Sequence, residues 1–145
     1  MSKQPNWQNP GDAELKSLLT QARTIAVVGC SPKPDRTSHQ IAAFLIDKGY
    51  HVLPVHPKAD SILDRKVYAT LADIPEAVDI VNVFRRPEFT PPIAEQAVGI
   101  GAKALWLQQG IANEEACRIA TDAGLTCVMD LCIAVMHRLL LSGNG

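Results

Sequence analysis

The 145-residue sequence lacks any apolar run approaching the roughly 18 residues of a membrane span, so no membrane partner is expected. It also lacks a basic start followed by an apolar stretch: the opening MSKQPNWQNPGD is polar, which argues against a secretory leader and makes the cytoplasm the expected compartment. Charge of one sign is not in excess. With Lys+Arg 14 against Asp+Glu 15 and a net charge of -1, no bulk positive field exists to hold a nucleic acid by counterion release. Cys30, Cys117, Cys127 and Cys132 form no C-x-x-C pair, and His39, His51, His56 and His137 show no pairing with them. No zinc site is expected, and in a reducing compartment the four thiols are expected to stay free. What is present is a 47% hydrophobic chain of a length that suits one domain with a full core.

Apolar, β-branched runs alternate with helical patterns, the signature of a parallel sheet built from βαβ units. Residues 1–11 read as a flexible N-terminal arm with Trp7 as a packing anchor, 12–141 as one Rossmann-like α/β domain, and 142–145 as a flexible tail. Asp12 is placed to N-cap a first helix and Ser38 a second, with Ile41, Phe44 and Leu45 on one face of the latter. Six strands are expected at TIAVVG (24–29), HVLPV (51–55), KVYAT (66–70), DIVNVF (79–84), KALWLQ (103–108) and LTCVMD (125–130). A helix opens at Asn113, Gly124 follows its end, and a closing helix runs from about Cys132 to Leu141. The doubly wound order 3-2-1-4-5-6 follows, with its switch point between the strands ending at Gly29 and Phe84. Ligands of such sheets bind beyond the carboxyl ends of the strands, and the unusual residues of this chain sit in those loops.

The first loop, Gly29-Cys30-Ser31-Pro32-Lys33-Pro34-Asp35-Arg36, pairs a turning glycine with a helix N-terminus and so suits a phosphate. Neither G-x-G-x-x-G nor a Walker A pattern is present, which leaves a ligand-free connection as the alternative. After the second strand, Pro54-Val55-His56-Pro57-Lys58 carries a cation where an NAD site places an acid. A phosphorylated ribose, as in coenzyme A or NADP, fits that position, and a solvated lysine is the alternative. Phe84-Arg85-Arg86-Pro87 offers two guanidiniums for a pyrophosphate, although one of them can pair with Glu88 instead. Gln108, Gln109 and Gly110 offer amides and a close backbone approach, while Trp106 is placed in the core. Asp130, Cys132 and His137 invite a nucleophile-and-base reading, but Cys132 and His137 are five apart on one helix and do not face each other. A buried thiol and a helix-end histidine are expected instead.

Taken together and in order, TIAVVGCSPKPDR, GYHVLPVHPK, DIVNVFRRPE, GAKALWLQQGI and AGLTCVMDLC resemble the small bacterial CoA-binding-domain proteins, which look like the CoA-binding domain of the succinyl-CoA synthetase alpha subunit standing alone. The resemblance covers about residues 22–139. It implies that Gly29 to Lys33 contact the CoA diphosphate and that Pro57 and Lys58 lie at the 3′-phosphate and adenosine end. It implies that Phe84 to Pro87 and Gln108 to Gly110 line the path of the pantetheine arm. That family often reads D-R-C near the last strand and Glu-His further on, whereas Leu131 and Met136 stand at the Arg and Glu positions here, and Cys30 replaces a more usual alanine. The expected function is stand-alone binding of CoA or an acyl-CoA by a regulatory or binding module rather than an enzyme, as a homodimer or with another protein partner. The alternatives are a fragment of an NADP-dependent oxidoreductase and a redox sensor using Cys30, whose thiolate a helix N-terminus and Lys33 would favour.

Overall fold

The computed structural model describes residues 7–141. In chain order the elements are α1 (Asp12–Gln21), β1 (Thr24–Val28), α2 (Thr37–Asp47), β2 (His51–Val55), β3 (Ser61–Ile62), β4 (Arg65–Lys66), β5 (Ile80–Val83), α3 (Thr90–Gly99), β6 (Ala104–Leu107), α4 (Glu114–Asp122), β7 (Thr126–Val128) and α5 (Ile133–Leu141). Five strands form one parallel sheet in the order β2-β1-β5-β6-β7. Helices cover both of its faces, which is why the strands read as continuous apolar runs. On one face Ala26, Val28, Val81, Val83 and Leu105 pack with Ile93, Ala94 and Ala97 of α3 and Ala116 and Ala120 of α4. On the other, Ile25, Val27, Val52, Ile80 and Trp106 pack with Leu15 and Leu19 of α1, Leu45 of α2 and Ile133 of α5.

The α/β class and the switch point between β1 and β5 stand as expected, but the six-strand order does not. The stretch 66–70 contributes a single bridge, Val55 to Tyr68, and no strand of the main sheet. Tyr68 N–H donates to Pro54 O (3.0 Å) and His56 N–H to Tyr68 O (3.0 Å), one rung of a parallel ladder. The rung before it would need an N–H from Pro54, and proline has none. The rung after it would need the N–H of Thr70, which instead donates to Asp73 Oδ2 (3.2 Å) in a capping box. Residues 61–66 turn back as the β3-β4 hairpin, with Leu63 and Asp64 at φ 54° and 62°.

Several local expectations shift as well. The N-cap of α1 is Gly11 and that of α2 is Arg36; Asp12 and Ser38 lie just inside their helices. Asn113 does cap α4, its Oδ1 accepting Ala116 N–H at 2.9 Å, and Gly124 follows that helix at φ 93°. Cys117 of α4 and Cys127 of β7 are joined in a disulfide with Cα atoms 5.5 Å apart, against the expectation of four free thiols. The packing of α4 on β7 brings the pair together, and a spacing of ten residues carries no such signal. Within 7–11, the Asn9 amide donates to Met129 O (2.8 Å) and accepts from Met129 N–H (2.9 Å) along the open edge of β7. Trp7 packs against the core. The rest of the proposed arm, 1–6, and the tail 142–145 lie outside the described residues.

Candidate functional site

Gly29 ends β1 at φ 82° and stands where the sheet changes direction. Its N–H donates to Val55 O (3.0 Å), and Phe84 N–H donates to Val28 O (2.8 Å), so the loops after β1, β2 and β5 meet at this residue. A Cβ here would lie 2.6 Å from Phe84 O, so only glycine admits the approach. Beyond it, the first loop is pinned to the opening turn of α2. Ser31 N–H donates to Ser38 Oγ (2.9 Å), Lys33 N–H to Ser31 Oγ (3.1 Å), and His39 Nδ1 lies 2.9 Å from Ser31 O. Since that carbonyl can only accept, Nδ1 of His39 carries the hydrogen. Among the described residues no side chain caps α2, whose N-terminal N–H groups and positive dipole end suit an anion.

Two cavities open on either side of this point. One, of about 440 Å³, is lined by Gly29, Val55, His56, Pro57, Thr70, Leu71, Phe84, Arg85, Ile93 and Gln96, among others. The other, of about 530 Å³, is lined by Thr37, Phe84, Arg85, Arg86, Pro87, Gln108, Gln109, Gly110, Ile111 and Cys132. Phe84 and Arg85 belong to both, so the cavities adjoin across the switch point. The crevice beyond the strand ends thus gathers loop residues separated by about 100 positions.

Not every anticipated side chain faces it. Cys30 is fully buried between the sheet and the α1, α2 and α5 layer, and burial pushes its thiol up to about 11. This reverses the expected thiolate and leaves the redox reading without its nucleophile. Pro54 is buried within β2. His56 holds its own loop, its Nδ1 accepting the N–H groups of Lys58 and Ala59 at 3.0 Å each. Lys58, Pro32, Lys33 and Arg36 are exposed and line neither cavity, and Lys58 has no ion pair among the described residues. Arg85 lays its guanidinium over Phe89 at 5.0 Å, while Arg86 reaches Glu88 at 3.9 Å. Pro87 O accepts from Thr90 Oγ1 (2.7 Å) and Asn113 Nδ2 (3.0 Å), tying the loop after β5 to both α3 and α4.

At the far end, Gln108 is buried and its Oε1 accepts from Asn82 Nδ2 and Ile133 N–H, each at 3.3 Å. Asp130, at φ 63°, accepts Gly110 N–H at 2.7 Å and so braces the Gly110 turn. Cys132 is half-buried in the cavity wall. His137 lies mid-way along α5, not at its end, and is buried edge-on against Phe44 and Tyr50 (centroids 5.6 and 5.8 Å). Desolvation, and secondarily the charge of Lys48, hold its pKa below the usual imidazole value. It faces a crevice with Arg23, Lys48 and Tyr50, not the cavity of Cys132, so the two make no catalytic pair.

Val28, Thr37, Val55, Ala69, Thr70, Leu71, Ile93, Gln96 and Ile111 also line the two cavities and are not among the site residues expected from the sequence. Ile93 and Gln96 share one face of α3 at helical spacing, but which helix face overlooks the crevice is decided by packing.

The model of the CoA binding domain family matches residues 23–138. The chain belongs to that family. It is 46% identical over 130 residues to the uncharacterized protein YneT of Bacillus subtilis, covering 90% of this chain and 96% of that protein. It is similar to a solved hypothetical protein of Pyrococcus horikoshii at 37% identity and a TM-score of 0.90, covering 97% of this chain and 99% of that one. A more distant likeness is the alpha subunit of the ADP-forming acetate-CoA ligase I of Pyrococcus furiosus, 30% identical over 93 residues. The match spans 60% of this chain and only 20% of that subunit. Among the described residues no helix is long and apolar enough to cross a membrane.

Proposed function

We propose that this chain binds coenzyme A or an acyl-CoA across the carboxyl ends of β2, β1, β5 and β6, as a cytoplasmic binding or regulatory module. The observation that carries the reading is the pair of cavities that adjoin at Phe84 and Arg85, one lined by Gly29 and the other by Thr37 at the uncapped start of α2. An extended ligand with a nucleotide at one end, a diphosphate in the middle and a thiol arm at the other suits that sequence of environments. In this reading the diphosphate lies against the Gly29 to Lys33 loop. The adenosine end occupies the cavity beside Pro57, with the next residue, Lys58, for the 3′-phosphate. The pantetheine arm follows Phe84 to Pro87 toward Gln108, Gln109 and Gly110. Family membership supports the ligand class. A binding rather than catalytic role is supported by the employment of the polar side chains: Asp130 and Gln108 brace loops, and His137 lies at another surface.

Titration calorimetry and thermal unfolding with CoA, dephospho-CoA, NADP and NAD test this. CoA should raise the Tm, since a ligand of the folded state stabilises it by RT ln(1 + [L]/Kd), and NAD should not. Lys58→Ala should weaken CoA about tenfold, as for a lost hydrogen bond to a charged group, and leave dephospho-CoA unchanged. Equal shifts with NAD and CoA refute the ligand assignment.

A further inference from the structure

We propose that the crevice at the amino ends of β1 and β2, at the opposite end of the sheet from the cavities described above, is a second binding site that takes a phosphate group through Arg23, Lys48 and His137. This cavity, of about 700 Å³, lies just before Thr24 of β1 and around His51 of β2, whereas Gly29 and Val55 at the other ends of those strands line the first crevice. Leu19, Ala22, Tyr50 and Leu141 give it apolar walls. Among the described residues that line it none is acidic, while Arg23, Lys48, His51 and His137 all are basic. His51 is already engaged, its Nε2 lying 3.0 Å from Glu76 Oε1. Arg23 and Lys48 form no ion pair among the described residues, and the Lys48 ammonium lies over the Phe44 ring at 5.5 Å.

His137 is the residue that points to a ligand. It is only 8% exposed, and its ring meets Phe44 and Tyr50 edge-on. Its Nδ1 is enclosed without a hydrogen-bond partner, and Nε2 is the ring nitrogen left to reach the cavity. Desolvation first, and the Lys48 charge second, lower its pKa, so at neutral pH the ring is uncharged and carries one hydrogen. An enclosed N–H without an acceptor costs more than an unmet lone pair, which puts that hydrogen on Nε2. A buried donor thus faces the cavity, and buried donors require a partner. The carbonyl ends of α1 and α2 also abut this crevice and would repel an anion if open. They are closed. Leu18 O accepts from Ala22 N–H, Leu19 O from the Tyr50 hydroxyl, Leu45 O from Tyr50 N–H and Ile46 O from Gly49 N–H, while α5 carries Arg138 in its last turn. The three donors come from three different parts of the chain, so they approach a ligand from separate directions. A phosphate offers three terminal oxygens in a tetrahedral arrangement and a double charge to match two permanent cations, whereas a carboxylate offers two oxygens in one plane.

Inorganic phosphate is the probe, titrated at neutral pH and constant ionic strength into 15N-labelled protein while backbone amide and histidine ring signals are followed. The amides of Arg23, Gly49, Tyr50 and His51 and the ring of His137 should shift together and saturate, equally with and without excess CoA. Arg23 and Lys48 are exposed, so Arg23→Ala and Lys48→Ala should fold as wild type does, and each should weaken phosphate at least tenfold, the lower end for a lost hydrogen bond to a charged group. Lys16→Ala removes the same charge from an exposed position of α1 outside the cavity and should keep the wild-type affinity. His137→Phe retains a ring against Phe44 and Tyr50 but no nitrogen, and it should lose at least tenfold in affinity without a lower Tm. Succinate should bind at least tenfold more weakly than phosphate. The site is overturned if phosphate gives no saturating shift at these residues, if the shifts are confined to Gly29 to Thr37, or if Arg23→Ala and Lys48→Ala keep the wild-type affinity. Succinate binding as tightly as phosphate overturns the phosphate assignment. None of these outcomes depends on whether the other crevice holds CoA.

Discussion

Replacing Gly29 by alanine tests the argument that one glycine sets how closely the central loops approach. Two penalties combine there. The residue sits at φ 82°, where an L side chain costs about 1 to 2 kcal/mol, and the new Cβ would lie 2.6 Å from Phe84 O and 3.1 Å from Arg85 Cδ. The first of those atoms is backbone, one residue past β5 and held by the Phe84 N–H bond to Val28 O (2.8 Å), so it cannot rotate away as a side chain would. Overpacking of this kind costs about 1 to 3 kcal/mol, which brings the expected loss to about 2 to 5 kcal/mol. For a domain of this size that corresponds to a Tm lower by roughly 5 to 20 °C. Gly124→Ala is the control: φ is 93°, but nothing lies within 4 Å of its Cβ, so only the backbone penalty of about 1 to 2 kcal/mol applies. Urea unfolding of both variants gives the difference directly. If Gly29→Ala is no less stable than Gly124→Ala, the close approach of the two loops is not what requires glycine.

Three further outcomes are expected. Burial raises the Asp79 pKa, but the N–H groups of Arg23 (2.8 Å) and Thr24 (3.0 Å) and the Lys103 ammonium (3.7 Å) outweigh it, so the folded pKa is lowered. The stability it contributes is therefore present above the unfolded carboxylate pKa of about 4 and is lost as pH falls through the folded value. Asp79→Asn should be less stable than wild type at neutral pH and should flatten the acid limb of a urea-midpoint profile; superimposable limbs would count against this. Limiting iodoacetamide should label half-buried Cys132 before Cys30, whose burial disfavours the thiolate, and peptide mass spectrometry that finds Cys30 first would contradict the burial argument. Asp64→Gly should stabilise the β3-β4 turn by up to about 1 kcal/mol in denaturant titrations, because φ 62° suits glycine better than aspartate, and a destabilised variant would show that the aspartate holds the turn.

The alternation of apolar runs and helical patterns was enough, by itself, to determine a parallel sheet covered on both faces. Burial on both sides forces Ile25 to Val28 and Ala104 to Leu107 to be continuously apolar, and Ile80 to Val83 apolar except for Asn82, whose amide donates to Trp106 O and Gln108 Oε1. The switch point followed from the same pattern, and with it the loops after Gly29, Val55, Phe84 and Gln108 as walls of the crevice. The missing edge strand was half legible. Pro54 stands in the sequence, but its lost N–H matters only once the next chain segment lies on that side of β2. Tertiary structure alone decided the rest. Cys30 follows a glycine at positive φ, which breaks the two-residue alternation that would otherwise predict its direction, and it turns into the core. Cys117 and Cys127 meet because a helix and the strand after it pack side by side. Gln96 and Thr70 enter the cavity because α3 and the loop before β5 fold over the sheet from distant parts of the chain. Local pattern fixes the elements because hydrogen bonding and burial within each are short-range; which side chains converge depends on how those elements pack.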